Sequence, residues 1–202
     1  DQPIGELDRT TPPEGKLEAA LYGSQVAALF NQVQLTETGA DFSCTSLGND
    51  PVGLASPVTM RGVTAAYLFA NTLVVVEVTE EVLRQTLERC AAYFTLVDGQ
   101  PQISEEFLLP KVEHYNYDFY AGLSYTFDLR RPVGSRVIHL TKLDGSPLGS
   151  GKFRLCTSNY RATGTGGYEI LRKCPVLWRG GTEMPDLTAR YIRKCSPVPP
   201  LT

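Results

Sequence analysis

A chain of 202 residues with 42% hydrophobic and 20% charged residues has the make-up of an ordinary globular protein, long enough for one large domain or two small ones. Its formal net charge of −3 gives no electrostatic reason to expect a nucleic-acid polymer as partner. The apolar run Leu73 to Val76 is a strand's length, far short of the roughly 20 residues that a bilayer demands, so no membrane span is expected.

The chain opens on Asp1 without a methionine or a signal peptide, and reads as a fragment of a longer protein. Residues 1–15, with Pro3, Pro12 and Pro13, read as an extended lead-in, and residues 16–202 as one domain. From Lys16 to about Leu35, the positions Leu17, Leu21, Ala28 and Val33 approximate a single helical stripe. Gly39 and Asp41 break it, and Phe42 to Leu47 is a short strand. Gly48 to Pro57 is loop by composition.

Thr59 to Leu68 reads as a short helical turn with an irregular exit, and Leu73 to Val78 as a buried β-branched strand. Thr79 is placed to cap a helix whose first turn carries Glu80 and Glu81, where the helix dipole favours anions. Leu83, Leu87, Cys90, Ala91 and Phe94 give that helix an apolar face. Asp98–Gly99 suits a tight turn, and the stretch onward to Lys111 looks irregular. Strands are expected over Leu123–Leu129, Val137–Leu143 and Phe153–Thr157, with a turn at Asp144–Pro147. Asn159 to Tyr168 reads as a glycine-rich loop, and Pro185 opens a last helix carrying Leu187, Tyr191 and Ile192. The expected class is α+β, with mixed β-sheets covered by helices.

Catalytic signatures are absent: no P-loop, no HExxH and no GxSxG. Five cysteines without a CxxC pair, and two distant histidines, do not make a zinc site; Cys90 and Cys156 read as buried thiols, and any disulfide pairing stays open. His114 reads as a structural histidine rather than a general base.

Three stretches exceed what core packing asks for. In Tyr67 to Val78, the alternate residues Tyr67, Phe69 and Asn71 offer two aromatics and an amide at the entrance of a strand, able to hold a flat ring. Rings that merely close the end of a core are the other reading. In Asn159 to Tyr168, Gly164, Gly166 and Gly167 permit close backbone approach beside Tyr160, or form a plain mobile connection. The run from His114 to Leu129 is dense in aromatics, with Asn116 and Asp118 as turn formers.

These stretches, FANTLVVVEVT, HYNYDFYAGLSYTFDLRRPVGSRV and NYRATGTGGY, resemble the C-terminal domain of the 5′-nucleotidase family over roughly Leu17 to Tyr168. They look most like its branch of bifunctional 2′,3′-cyclic-nucleotide 2′-phosphodiesterase/3′-nucleotidases. The resemblance implies that an N-terminal metallophosphoesterase domain, outside this chain, holds two divalent metals and hydrolyses the phosphate ester, with no cofactor in the present chain. It implies a nucleotide or nucleoside partner held between Phe69 and Tyr160, with Asn71 contacting the base and Tyr67 as a further contact. It also implies an extracellular, periplasmic or wall-attached protein. Two departures stand out. Ser46 to Pro51 lacks the arginine of the family's G-G-x-R segment, leaving Gly48 and Asn49 as donors, and Gly166 occupies the place of a base-contacting aspartate. A non-catalytic nucleoside-binding or structural surface module is the alternative.

Overall fold

A β-branched run such as Leu73–Val76 can be buried on every side only in the interior of a sheet covered on both faces. The computed structural model, which describes residues 2–200, places it there. Eleven strands and seven α-helices follow in the order β1 (Pro3–Gly5), α1 (Lys16–Tyr22), α2 (Gln25–Thr38), β2 (Phe42–Ser46), β3 (Val58–Thr59), α3 (Met60–Ala66), β4 (Thr72–Val78), α4 (Glu80–Ala91), β5 (Phe94–Val97), β6 (Gln100–Ile103), β7 (Asp118–Ala121), β8 (Leu123–Phe127), β9 (Val137–Lys142), β10 (Phe153–Ser158), α5 (Asn159–Ala162), α6 (Glu169–Arg172), β11 (Val176–Glu183) and α7 (Met184–Cys195). The central sheet has the order β11-β4-β10-β2-β7. β10 runs parallel to β2, and the other neighbours are antiparallel, so the expected mixed α+β architecture holds.

The two-residue period of β4 sends alternate side chains into two cores. Leu73 and Val75 pack with Leu29 and Phe30 of α2 and Met184 of α7. Val74, Val76 and Val78 pack with Leu83 and Leu87 of α4 and with Leu123 and Val137 of the β8–β9 hairpin. Thr79 caps α4, its hydroxyl accepting from the Val82 N–H at 3.3 Å. Of the cysteines, Cys44, Cys90 and Cys156 are buried free thiols.

The single stripe expected from Lys16 to Leu35 is two helices. Gly23, at φ 99°, ends α1, and Ser24 starts α2 by accepting the Ala27 N–H at 3.0 Å. Beyond Phe94 the chain is less irregular than its sequence suggests. Asp98 and Gly99, both at positive φ, close the β5–β6 hairpin, and Asp118–Ala121 forms the sheet's edge strand β7. β11 was not legible either: it is an exposed edge strand with irregular register, lacking the alternation that marks a half-buried strand. The lead-in is extended and stitched to the domain, with β1 pairing β3 and with bridges Leu7–Val198 and Thr11–Leu54.

The β8–β9 hairpin is fastened to the end of α4 by one buried cation. Arg136 donates to the carbonyl of Ala91, which the end of α4 leaves without a helical partner, at 2.9 Å, and to that of Phe94, at the start of β5, at 2.6 Å. Glu88 accepts the Arg136 and Val137 N–H groups at 2.6 and 2.5 Å. Arg136→Leu strands both carbonyls and should lower stability by about 2–3 kcal/mol in urea unfolding; a change within experimental error would show that the hairpin docks by apolar contact alone.

Candidate functional site

Strand direction decides which loops can meet. β2, β10 and β11 end at the edge of the sheet where β4 and β7 begin, as the pairings Ser158–Leu73, Ser46–Asp118 and Glu183–Thr72 record. The segments 47–50, 68–71, 113–117 and 159–168 therefore all emerge at one edge. A direct tie confirms the closeness of two of them: the Thr72 N–H donates to Asn159 Oδ1 at 3.1 Å.

At this edge Phe69 is half-buried, while Tyr160 is 42% exposed. The two rings do not pack on each other. Phe69 is held edge-on by Tyr67 at 5.9 Å and by Tyr115 at 6.4 Å between centroids. Tyr67 is only 4% exposed and packs its ring against Phe30. Burial first of all pushes its phenol up to about 12. Its hydroxyl accepts from Asn71 Nδ2 at 3.3 Å, so Tyr67 braces Phe69 and orients Asn71 from beneath. Asn71 Oδ1 has no protein partner among the described residues, and the Asn71 carbonyl anchors α7 through the Met184 N–H at 2.9 Å.

Gly48 lies against Leu68, since a Cβ there would sit 3.5 Å from Leu68 Cδ1. Asn49 spends its amide on the scaffold, donating to the Val112 carbonyl and accepting from the His114 N–H, each at 3.0 Å. His114 is buried, with Nδ1 2.7 Å from the Tyr93 hydroxyl. Desolvation, aided by Lys16, pulls its pKa below the usual 6.5, which fits a structural imidazole.

The glycine-rich stretch is not a plain connection. Ser158 caps α5 by accepting the Arg161 N–H at 3.0 Å, and the hydroxyls of Thr163 and Thr165 donate to the Tyr160 carbonyl at 2.6 and 2.8 Å. Arg161 fills the space below. It forms a bidentate pair with Asp118, both contacts at 2.8 Å, and donates to the carbonyls of Tyr115 at 2.9 Å and Thr165 at 3.0 Å. Burial alone lowers the pKa of a guanidinium, but the Asp118 carboxylate more than offsets this and holds it charged. Gly164 and Gly166 adopt φ 86° and 76°. A Cβ on Gly166 would collide with Asn116 and Arg161, so glycine is required there by both backbone and space. The Gly166 carbonyl accepts from Arg89 Nε at 2.9 Å.

Tyr115 is the residue that sequence reasoning missed. It lies in the 3-10 turn His114–Asn116 and touches Phe69, but nothing in an aromatic-dense run distinguishes it from its neighbours. A cavity of about 810 Å³ lies elsewhere, between the helix pair α1–α2 and β7–β8, and neither Phe69 nor Tyr160 lines it. Among the described residues, no group of three or more His, Cys, Asp or Glu is placed to hold a metal ion.

Two measurements test this site's scaffold. Asp118→Asn leaves a buried guanidinium without its counter-charge and should cost about 3–5 kcal/mol of stability, whereas a loss below 1 kcal/mol would mean that water reaches the pair. For His114, the folded pKa lies below the unfolded one, so the unfolded chain takes up the proton first as pH falls through 6.5. Stability should be flat above pH 6.5 and decline below it, and denaturation curves for His114→Gln should show a smaller decline.

The sequence pattern of the 5′-nucleotidase C-terminal domain matches residues 4–173. A 2′,3′-cyclic-nucleotide 2′-phosphodiesterase/3′-nucleotidase of Haemophilus influenzae is 30% identical over 80% of the chain, which spans only 27% of that relative. A Staphylococcus aureus protein assigned as a 5′-nucleotidase, solved with alpha-ketoglutarate, superposes with a TM-score of 0.90 at 32% identity, over 95% of this chain and 38% of the other. A 5′-nucleotidase precursor of Thermus thermophilus, 22% identical, shares the fold with a TM-score of 0.77, over 98% of this chain and 38% of its own. The chain belongs to the family of 5′-nucleotidase C-terminal domains.

Proposed function

We propose that this domain binds the nucleoside part of a nucleotide between Phe69 and Tyr160, and that hydrolysis of the phosphate ester belongs to a metal-bearing N-terminal domain of the full-length protein. The observation that carries the reading is the exposure of Tyr160 on the same sheet edge as a braced, half-buried Phe69. Asn71, with Oδ1 uncommitted and Nδ2 tied to Tyr67, offers a hydrogen bond to the rim of a heterocycle. Gly48, next to Leu68, lets the backbone approach closely, and Gly164 and Gly166 shape the turn behind Tyr160. Tyr67 and Asn49 act through their neighbours rather than on the ligand. The relatives' hydrolase names and the absence of a metal-ligand cluster among the described residues support this division of labour. An extracellular, periplasmic or wall-attached location is part of the same proposal.

Adenosine titrated into the 202-residue chain by calorimetry tests it. Stacking on an aromatic ring contributes about 1–3 kcal/mol, so Tyr160→Ala should weaken binding roughly 5- to 150-fold. Because Tyr160 is exposed, the melting temperature should hardly move. Unchanged affinity in that variant would sink the clamp. The same preparation should not hydrolyse 3′-AMP or 2′,3′-cyclic AMP; turnover that follows the protein through purification would move the chemistry into this chain.

A further inference from the structure

The cations near the aromatic edge are mostly committed. Arg161 is paired with Asp118, Arg89 with Glu106 and the Gly166 carbonyl, and Lys16 with Asp50 at 3.5 Å. Lys111 is different. It is exposed, makes no ion pair among the described residues, and holds its ammonium 5.8 Å from the centre of the Tyr115 ring. Tyr115 in turn touches Phe69, so the charge stands one ring away from the proposed base slot. The Tyr115 hydroxyl is the main cause that raises the Lys111 pKa, with smaller contributions from the Glu113 carboxylate and from Tyr160. The Glu113 carboxylate is oriented by Asn116 Nδ2 at 2.9 Å and makes no ion pair with Lys111, although its charge is felt there. The backbone following Lys111 is pinned at Val112 and His114 by Asn49, so the lysine springs from a fixed base.

Resting on the clamp reading, we propose that Lys111 is a specificity-determining residue that engages the phosphate of a nucleoside monophosphate, so that this domain prefers the anionic nucleotide to the neutral nucleoside. The loop after β2, Ser46 to Pro51, carries no cation, and its one charge, the exposed Asp50, is paired with Lys16, so this loop offers nothing to hold a phosphate. An ammonium on a four-carbon stem is a mobile point charge, without the fixed fork by which arginine selects one phosphate geometry. Lys111 should therefore accept a phosphate on either end of the ribose, giving charge selectivity with little positional selectivity.

The experiment compares adenosine, 3′-AMP and 5′-AMP by calorimetry on the 202-residue chain and on Lys111→Met, which keeps an unbranched stem over Tyr115. At about 20 mM salt both monophosphates should bind roughly three- to tenfold tighter than adenosine, with the gap closing near 300 mM as screening takes hold. Lys111→Met should bring both monophosphates to the affinity of adenosine while leaving adenosine within about twofold of the parent. Lys111→Arg should keep the preference. The proposal falls if Lys111→Met leaves the nucleotide-to-nucleoside ratio unchanged, or if it weakens adenosine as much as the monophosphates, since the lysine would then only pack the ring. Adenosine binding that ignores Tyr160→Ala would overturn the clamp itself, and this inference with it.

Discussion

Five hydrogen bonds leave the guanidinium of Arg161, matching its five donors, and they reach Asp118, Asn116, Tyr115 and Thr165. Those partners belong to two segments that the chain keeps more than forty residues apart, the approach to β7 and the turn after β10. A planar fork satisfied at every corner admits one mutual arrangement of the two segments. The pair is buried, with 3% of each side chain exposed, so its desolvation cost offsets much of its Coulombic gain. Its contribution is geometric. An apolar pair of similar volume could leave the domain as stable, but would let the Tyr160 turn slide against the Tyr115 turn.

Around that fork the rest of the edge is layered. Tyr168 lies under the guanidinium, 4.2 Å from its ring centre, and its hydroxyl donates to the Asn116 carbonyl at 2.6 Å. Cys90 of α4 touches the same hydroxyl at 3.2 Å, which links the glycine turn to the larger of the two cores. Burial pushes the Cys90 thiol up to about 12, so it serves here as a packed, protonated group. From core to edge, each layer is fixed by the one beneath it, and only the outermost rings meet solvent.

This dependence explains what the sequence could and could not tell. α4 was legible because its cap, its acidic first turn and its apolar face are all local, although Phe94, expected on that face, lies beyond the helix end and opens β5. The strands β4, β8 and β10 announced themselves through β-branched runs or alternation. The order in Asn159–Tyr168 was invisible, because a glycine-rich stretch looks mobile until its distant carboxylate, Asp118, is in place. Tyr115 was hidden for the same reason: which way it faces depends on a 3-10 turn held by Arg161 through its carbonyl. The break at Gly23–Ser24 was written in the sequence, but an isolated glycine in a helical pattern is tolerated often enough to be passed over. Asn49 and Tyr67 show a further side of this, since their hydrogen bonds to Val112, His114 and Asn71 join segments that residue type alone does not connect.

The two walls of the proposed clamp are anchored differently, and this bears on how such an edge can grip a flat ring. Phe69 is wedged between Tyr67 and Tyr115, so its rotamer is settled before any ligand arrives. Tyr160 is held by its backbone, through Ser158, Thr163 and Thr165, while its ring stays exposed. Immobilising one side chain costs about 0.5–1.5 kcal/mol, less than the roughly 1–3 kcal/mol that stacking supplies. On the proposed reading, one wall free to rotate on a fixed backbone would still leave net binding, and it could settle on purine or pyrimidine without moving the chain. Freeing the backbone as well would cost about 1–2 kcal/mol for each residue that had to be ordered again on binding, and over the residues of this turn that would exceed anything one ring can return. The expensive ordering is done by the buried fork during folding, and the ligand has only the inexpensive part left to complete.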